Sequence, residues 1–477
     1  LNKVINQFFE PLVAFLEKII FWDPAKALGI DVGGKVPLVV VWLIAGAIYF
    51  TIKMRFINIT AFKHAIDLVR GKFDKKGEAG EVSHFQALAT ALSGTVGLGN
   101  IAGVAIAVST GGPGATFWII VAGLLGMTSK FTECTLGVKY RSINKKGEVS
   151  GGPMYYIPVA LAKVKMPLVG KFLAFVFAIL CVGGALGGGN MFQANQSYAQ
   201  LVAEVPSAAG KEIEFGILLA ILTGAVIIGG LKGIARVTEK LVPFMAVLYV
   251  SACLFIIFSN LGGMADTIKL IFRDAFTGDA VKGGIIGVMM IGLQRACFSN
   301  EAGVGSASIA HSAARTSKPV SEGIVSLLEP FIDTVVICTM TALVIVFTGQ
   351  YQTSGMEGAA LTSRAFGTVV SWFPYVLLIA VFLFAFATMI SWSYYGLKAW
   401  TWMFGESRNS TLIYKSIYLI CIVVGCVVEL KPVMAFADMM ILGMAFPNMI
   451  ALFIMAPEVK QDLQVYLKGI KSLKKTP

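Results

Sequence analysis

The sequence predicts an all-α integral membrane protein with eleven transmembrane helices. Three observations carry that prediction. Of 477 residues, 56% are hydrophobic and only 14% charged, whereas soluble domains carry about a quarter charged residues. Mean hydropathy is +0.78, and a soluble chain this apolar has too little polar surface to cover itself. Eleven stretches have the roughly 20-residue apolar length that a helix needs to cross a bilayer, with basic loops between them. Soluble enzymes, disordered chains and nucleic-acid modules are poor readings of such a composition.

Residues 1–35 come first, as an interfacial helix and loop. Phe8, Leu12, Phe15 and Ile19 repeat at helical spacing, with Glu10 and Glu17 opposite them. That segment is too polar to span and suits a helix lying in the membrane surface. The predicted spans follow at about 36–53, 84–108, 112–138, 172–201, 216–230, 241–259, 283–311, 322–348, 366–397, 412–429 and 433–456. The chain divides into a first helix with its loop (36–83), two five-helix units (84–259 and 283–456) and a basic tail (457–477).

Charge sets the orientation. With 54–83 inside, the inner stretches hold 27 of the 39 Lys and Arg. That asymmetry predicts an outside N-terminus and a cytoplasmic C-terminus. It also accounts for the net charge of +12 without nucleic acid as a partner. All seven cysteines lie in apolar runs, none forms CxxC, and they read as small buried hydrophobes. Three histidines, with no HExxH and no Ser/His/Asp set at matching depth, argue against an enzyme or a rich metal site.

Two spans are interrupted. The second contains Ser93-Gly94-Thr95-Val96-Gly97-Leu98-Gly99-Asn100, and the seventh Phe298-Ser299-Asn300-Glu301-Ala302-Gly303-Val304-Gly305-Ser306. Gly at this density weakens a helix by about 1 kcal/mol per residue against Ala, and opened backbone within lipid is tolerated only where it faces protein or a cavity. Each interruption opens a five-span unit. Five is odd, so the second unit runs through the membrane the other way up. Interruptions at matching positions of two inverted repeats point to a transporter's binding site. The glycines 183, 184 and 187–189 need no more than close helix packing.

The run Gly94-Thr95-Val96-Gly97-Leu98-Gly99-Asn100-Ile101-Ala102-Gly103 resembles the signature of the alanine/glycine:cation symporters, also called sodium:alanine symporters. So do Gly111-Gly112-Pro113-Gly114, Gly151-Gly152-Pro153-Met154-Tyr155, Phe298-Ser299-Asn300-Glu301 and Trp392-Ser393-Tyr394-Tyr395-Gly396. The resemblance covers about residues 84–400. It implies a LeuT-type 5+5 inverted repeat with one extra N-terminal helix, in the amino acid–polyamine–organocation superfamily. It also implies import of small neutral amino acids coupled to Na+, at a bacterial inner membrane, with no organic cofactor and no obligate protein partner beyond membrane lipid.

A broken helix offers free N–H groups to an anion and free carbonyls to a cation. The substrate carboxylate is therefore expected on the amides of Leu98 and Gly99, with Asn100 as a side-chain partner or as the cap of the break itself. Family resemblance adds Gln193, Phe298, Thr388 and Trp392 around the substrate, the aromatic walls suiting glycine or alanine. By the same resemblance, Na+ would lie between the carbonyls of Ser93 and Val96 and the hydroxyl of Thr388. Sodium, like other hard cations, takes oxygen ligands. Ala387 stands where some relatives carry a second hydroxyl, so a carbonyl, a water or Ser391 would complete the set. Thr95 and Asn100 are candidates for a second ion site.

Charges within spans are usually paired or functional. Here they are Lys130, Glu133, Arg295, Glu301, Glu329, Asp333 and Asp438. Lys130 and Glu133, three apart, are expected to pair. Arg295 is expected to pair structurally with an acid other than Asp438, a gate between Arg295 and Asp438 being the alternative. The competing functions are a proton-coupled carrier of another small amino acid and a channel, which would need a continuous filter rather than two matched breaks.

Overall fold

The computed structural model describes residues 17–30, 34–74, 77–145, 147–259, 261–277, 284–353, 356 and 358–473. Phe8, Leu12 and Phe15 of the expected interfacial helix lie outside them. The described chain is all-α apart from one short hairpin, Ser142–Ile143 with Val149–Ser150. Seven helices are long and apolar enough to cross a membrane, or eight when one bent pair counts as a single span.

Along the chain run α1 (Leu38–Lys53), α2 (His84–Thr95), α3 (Ala115–Lys139), α4 (Pro167–Glu204), α5 (Glu212–Ile227), α6 (Gly230–Phe258), α7 (Gly284–Asn300), α8 (Pro319–Phe347), α9 (Phe373–Phe404), α10 (Arg408–Val427) and α11 (Leu430–Ile470). Each predicted span falls on one of these. Four do not meet the length criterion as single helices, each for a visible reason. Helices α1 and α5 have only 16 residues, and α2 and α7 are broken at their glycines. The apolar residues that α5 and α6 leave exposed, among them Ile217, Ile221, Phe244, Val247 and Phe255, suit contact with lipid.

Helix α2 starts sharply. Ser83 accepts from the Gln86 amide at 3.2 Å, and the Gln86 side chain accepts from the Ser83 amide at 3.1 Å, a reciprocal cap that satisfies two end donors. The helix ends at Thr95 and resumes over Gly99–Gly111 after a bend of 50°. Helix α7 ends at Asn300. Glu301 (φ 53°) and Gly303 (φ +86°) turn the chain, and a short helix, Ala307–His311, follows. A Cβ on Gly303 would lie 2.8 Å from Leu43 of α1, so both the turn and the packing require glycine there.

Helix α9 packs against α2, both halves of α4, and α6, while α3 packs against α1, α7 and α8. The glycines of α4 permit that closeness. A Cβ on Gly183 would lie 2.6 Å from Met440, and one on Gly189 would run into Trp392. This is the packing role expected for that glycine cluster.

Candidate functional site

The first break is closed by side chains from four other elements. Within it, the Gly97 amide donates to Asn100 Oδ1 at 2.9 Å, so Asn100 caps the break. The Leu98 amide donates to Gln193 Oε1 at 3.0 Å. Gln193 in turn donates through Nε2 to the Gly188 carbonyl at 2.8 Å, inside a π-helical turn over Gly187–Met191. That turn aims a side chain that a regular helix would place elsewhere, and such turns recur at functional sites.

Helix α9 covers the break on another side. Ser93 Oγ donates to the Ala387 carbonyl at 2.6 Å, and Trp392 Nε1 donates to the Gly94 carbonyl at 3.1 Å. A Cβ on Gly97 would collide with Thr388 Oγ1 and lie 3.1 Å from Gln193 Oε1. Thr388 Oγ1 and Ser391 Oγ are both buried with no hydrogen-bond partner. Buried hydroxyls are normally satisfied, so the Thr388 hydroxyl against Gly97 leaves an unused polar atom beside the opened backbone. Ser391 is one of the groups, with a carbonyl or a water, expected to replace the hydroxyl lacking at Ala387. Val96 and Thr95 lie buried in the same turn; the Thr95 hydroxyl makes only long contacts, 3.4 and 3.5 Å, to the Ala91 and Leu92 carbonyls.

Phe298, the last-turn aromatic of α7, faces Gly99. A Cβ on Gly99 would lie 3.6 Å from its ring. Phe298 is also edge-on to Phe192, with centroids 5.9 Å apart. Leu98, Gly99, Asn100, Gln193, Phe298, Thr388 and Trp392 thus all border one interruption, and all are buried. An open surface cavity of about 420 Å³ lined by Lys139, Lys318, Asp462 and Tyr466 includes none of them.

One residue at this site carries more than the sequence suggested. Asp333 accepts from Asn100 Nδ2 at 2.6 Å, Ser299 Oγ at 2.9 Å and Thr334 Oγ1 at 2.7 Å. It therefore joins the first break to the second, from a π-helical stretch, Phe331–Cys338. The available signal was a carboxylate in mid-span, which read only as one of seven such charges. Lys130 lies 3.7 Å from Glu133, as expected; Arg295, expected on another acid, instead lies 2.5 Å from Asp438 and fastens α7 to α11.

Comparison with known proteins agrees with this architecture. Residues 30–477 match the model of the sodium:alanine symporter family. The chain is 38% identical over 434 residues to the sodium/alanine symporter AgcS of Methanococcus maripaludis, covering 90% of this chain and 94% of that protein. It is 34% identical over 437 residues to the probable sodium/glutamine symporter GlnT of Bacillus subtilis, covering 91% and 89%. Among solved structures, MhsT in complex with L-phenylalanine aligns with a TM-score of 0.53 at 15% identity, over 82% of this chain and 99% of that one. That likeness speaks to the fold. The match across nearly the whole length, together with the broken helix and its buried polar lining, establishes that this multi-pass membrane protein belongs to the sodium:alanine symporter family.

Proposed function

We propose that the protein is a secondary active symporter that imports small neutral amino acids, alanine and glycine, together with Na+. In this reading it crosses a bacterial inner membrane eleven times as a 5+5 inverted repeat with one extra N-terminal helix, its N-terminus outside and its C-terminus in the cytoplasm. The observation that supports it most is the first break, where opened backbone, the Gln193 amide and the orphan Thr388 hydroxyl meet in the buried interior.

A zwitterion requires donors for its carboxylate and acceptors for its ammonium. The Leu98 and Gly99 amides supply the first. Gln193 Oε1 now fills the Leu98 amide, so an entering carboxylate displaces it and the freed Gln193 amide swings to the substrate. The Ser93 and Val96 carbonyls with the Thr388 and Ser391 hydroxyls supply oxygen ligands for one Na+. Thr95 and Asn100 remain candidates for a second ion, and Asp333 adds a carboxylate beside them. Phe298 and Trp392 restrict the space left for a side chain. The relatives' names include both alanine and glutamine, and the large Trp392 favours the smaller substrate. Equilibrium binding of labelled alanine to purified protein tests the reading. It should saturate in NaCl and vanish in KCl, and binding unchanged by sodium would contradict it.

A further inference from the structure

A second group of ionisable side chains lies away from the first break. His84, in the first turn of α2, is hydrogen-bonded through Nδ1 to Glu322 Oε2 on α8. The other oxygen of Glu322 lies 2.5 Å from His311 Nδ1, in the short helix after the second break. His311 Nε2 lies 3.5 Å from Glu329 Oε2, and Glu329 Oε1 lies 3.0 Å from Lys130 Nζ on α3. Lys130 also faces Glu133 and reaches the Glu301 carbonyl at 3.5 Å. The Glu301 carboxylate accepts from Ser306. Each of these seven side chains is buried, none more than 4% exposed.

Their charges do not balance without added protons. Lys130 supplies one positive charge against four carboxylates: Glu133, Glu301, Glu322 and Glu329. Neutrality requires three more protons, and the two imidazoles accept only one each, so one carboxylate must hold a proton as well. The surrounding elements do not change this. Arg141 directs its guanidinium to the Ser312 and Ala314 carbonyls just past His311, while Asp74 and Glu78 face His84 and Asp333 faces Glu301, each adding negative charge. Asn448 of α11 is neutral and donates to Glu133 Oε2 at 3.2 Å. Cys134, Tyr156 and Tyr395 face the group as uncharged side chains. Unbalanced charge in so dry a place is strongly unfavourable. A second observation agrees. Both oxygens of Glu329, Oε1 of Glu133 and Nε2 of His311 have no well-directed hydrogen bond.

His84 adjoins the place where residues 79–83 meet 312–316: the Glu81 amide donates to the Ala313 carbonyl at 2.8 Å, and the Arg315 amide to the Val82 carbonyl at 2.8 Å.

We propose that the chain His84–Glu322–His311–Glu329–Lys130 is an intramembrane proton-binding site that latches the segment after the second break to the start of α2. Protons enter from the end where residues 79–83 meet 312–316. With protons bound, His84 holds α2 to Glu322 and His311 bridges Glu322 and Glu329, tying the elements together. When protons leave, Glu322 loses both cationic partners and Lys130 alone faces Glu329, Glu133 and Glu301, so this end of the bundle loosens. The proposal does not depend on which amino acid is carried.

The test uses the purified full-length protein in detergent and follows its unfolding temperature between pH 6 and pH 9. Stability that depends on protons held by the folded state is lost as pH rises, and the slope counts the protons released on unfolding. The wild type should lose stability over this range. His311→Gln and the less buried His84→Gln should each flatten that dependence by an amount matching about one proton. Equal slopes in the wild type and in either folded variant would overturn the proposal. In proteoliposomes, alanine exchange at saturating sodium should change at least threefold between pH 6 and pH 8 on the loop side in the wild type, and less than twofold in His84→Gln. A variant that keeps the wild-type profile would count against the latch. The unfolding measurement needs no transport, so failure of the alanine reading is seen separately.

Discussion

The Leu98 amide and the Gln193 side-chain oxygen lie 3.0 Å apart, and this bond ties the break of α2 to the helix just after the π-helical turn of α4. In the proposed reading it fills the donor that a substrate carboxylate would take, so Gln193 would act first as a competitor for that amide and then as a ligand.

Two substitutions at this position separate those roles. Gln193→Ala removes the competitor and the ligand together, leaving a buried amide unsatisfied at a cost of about 1–3 kcal/mol. The KM for alanine should rise roughly tenfold. Gln193→Glu places a full charge on the same amide, where a charge-assisted bond is about twice as strong as a neutral one. It should therefore impair alanine uptake more than Gln193→Ala. If the glutamate variant transports better than the alanine variant, the carboxylate binds elsewhere.

Thr388 offers a test that distinguishes an ion ligand from a structural hydroxyl. Its Oγ1 is buried and has no partner, so Thr388→Val removes a polar atom whose burial is not repaid. The unfolding temperature should stay the same or rise. The sodium concentration for half-maximal uptake should nevertheless increase at least threefold. A fall in stability with unchanged sodium activation would make Thr388 a packing residue.

In the proposed reading, Gly99 and Trp392 bound the space for the substrate side chain. A Cβ at Gly99 meets only ordinary contacts with Phe298, at 3.6 Å, so Gly99→Ala should fold normally yet lose most alanine uptake, and Gly99→Val should lose all of it. Trp392→Ala should shift preference toward larger neutral amino acids such as leucine by roughly tenfold to a hundredfold, because apolar walls discriminate by about 1–3 kcal/mol per methylene. It also deletes a bond to Gly94 and a large buried ring, at a cost of about 3–5 kcal/mol. Competition uptake is therefore to be paired with a melting curve. An unchanged preference in folded Trp392→Ala, with uptake surviving Gly99→Val, would misplace the pocket.

The basic loops make the orientation testable. Single cysteines at Gly77 and Gly147, both in open space, should react with an impermeant maleimide only from the cytoplasmic face. One at Gly210 should react only from outside. The reverse pattern would invert the topology.

Much of this site was legible because glycine and polar residues in a span have few innocent explanations. Gly97, Gly99 and Asn100 marked the first break by composition alone, and the structure closes it with Asn100 as its cap. The two π-helical turns were not legible. Nothing in Gly187–Met191 or Phe331–Cys338 distinguishes a π turn from an α turn locally, since tertiary contacts decide it. Without those turns, the bond from Gln193 to Leu98 and the placement of Asp333 could not be foreseen. The His84–Glu322–His311 chain was equally hidden. Its members stand 238 and 11 residues apart, and only the folding of α2 onto α8 brings them together. The span count illustrates a different limit, since hydropathy reads breaks such as 96–98 as continuous apolar sequence.

The most direct test of the account is sodium-driven accumulation by the purified protein in proteoliposomes. An inward Na+ gradient should drive labelled alanine transiently above its equilibrium level, and the overshoot should disappear when K+ replaces Na+ or when the gradient is collapsed. Alanine accumulation of the same size in K+ as in Na+, or no accumulation under either, would contradict the central claim that this buried break binds alanine together with sodium.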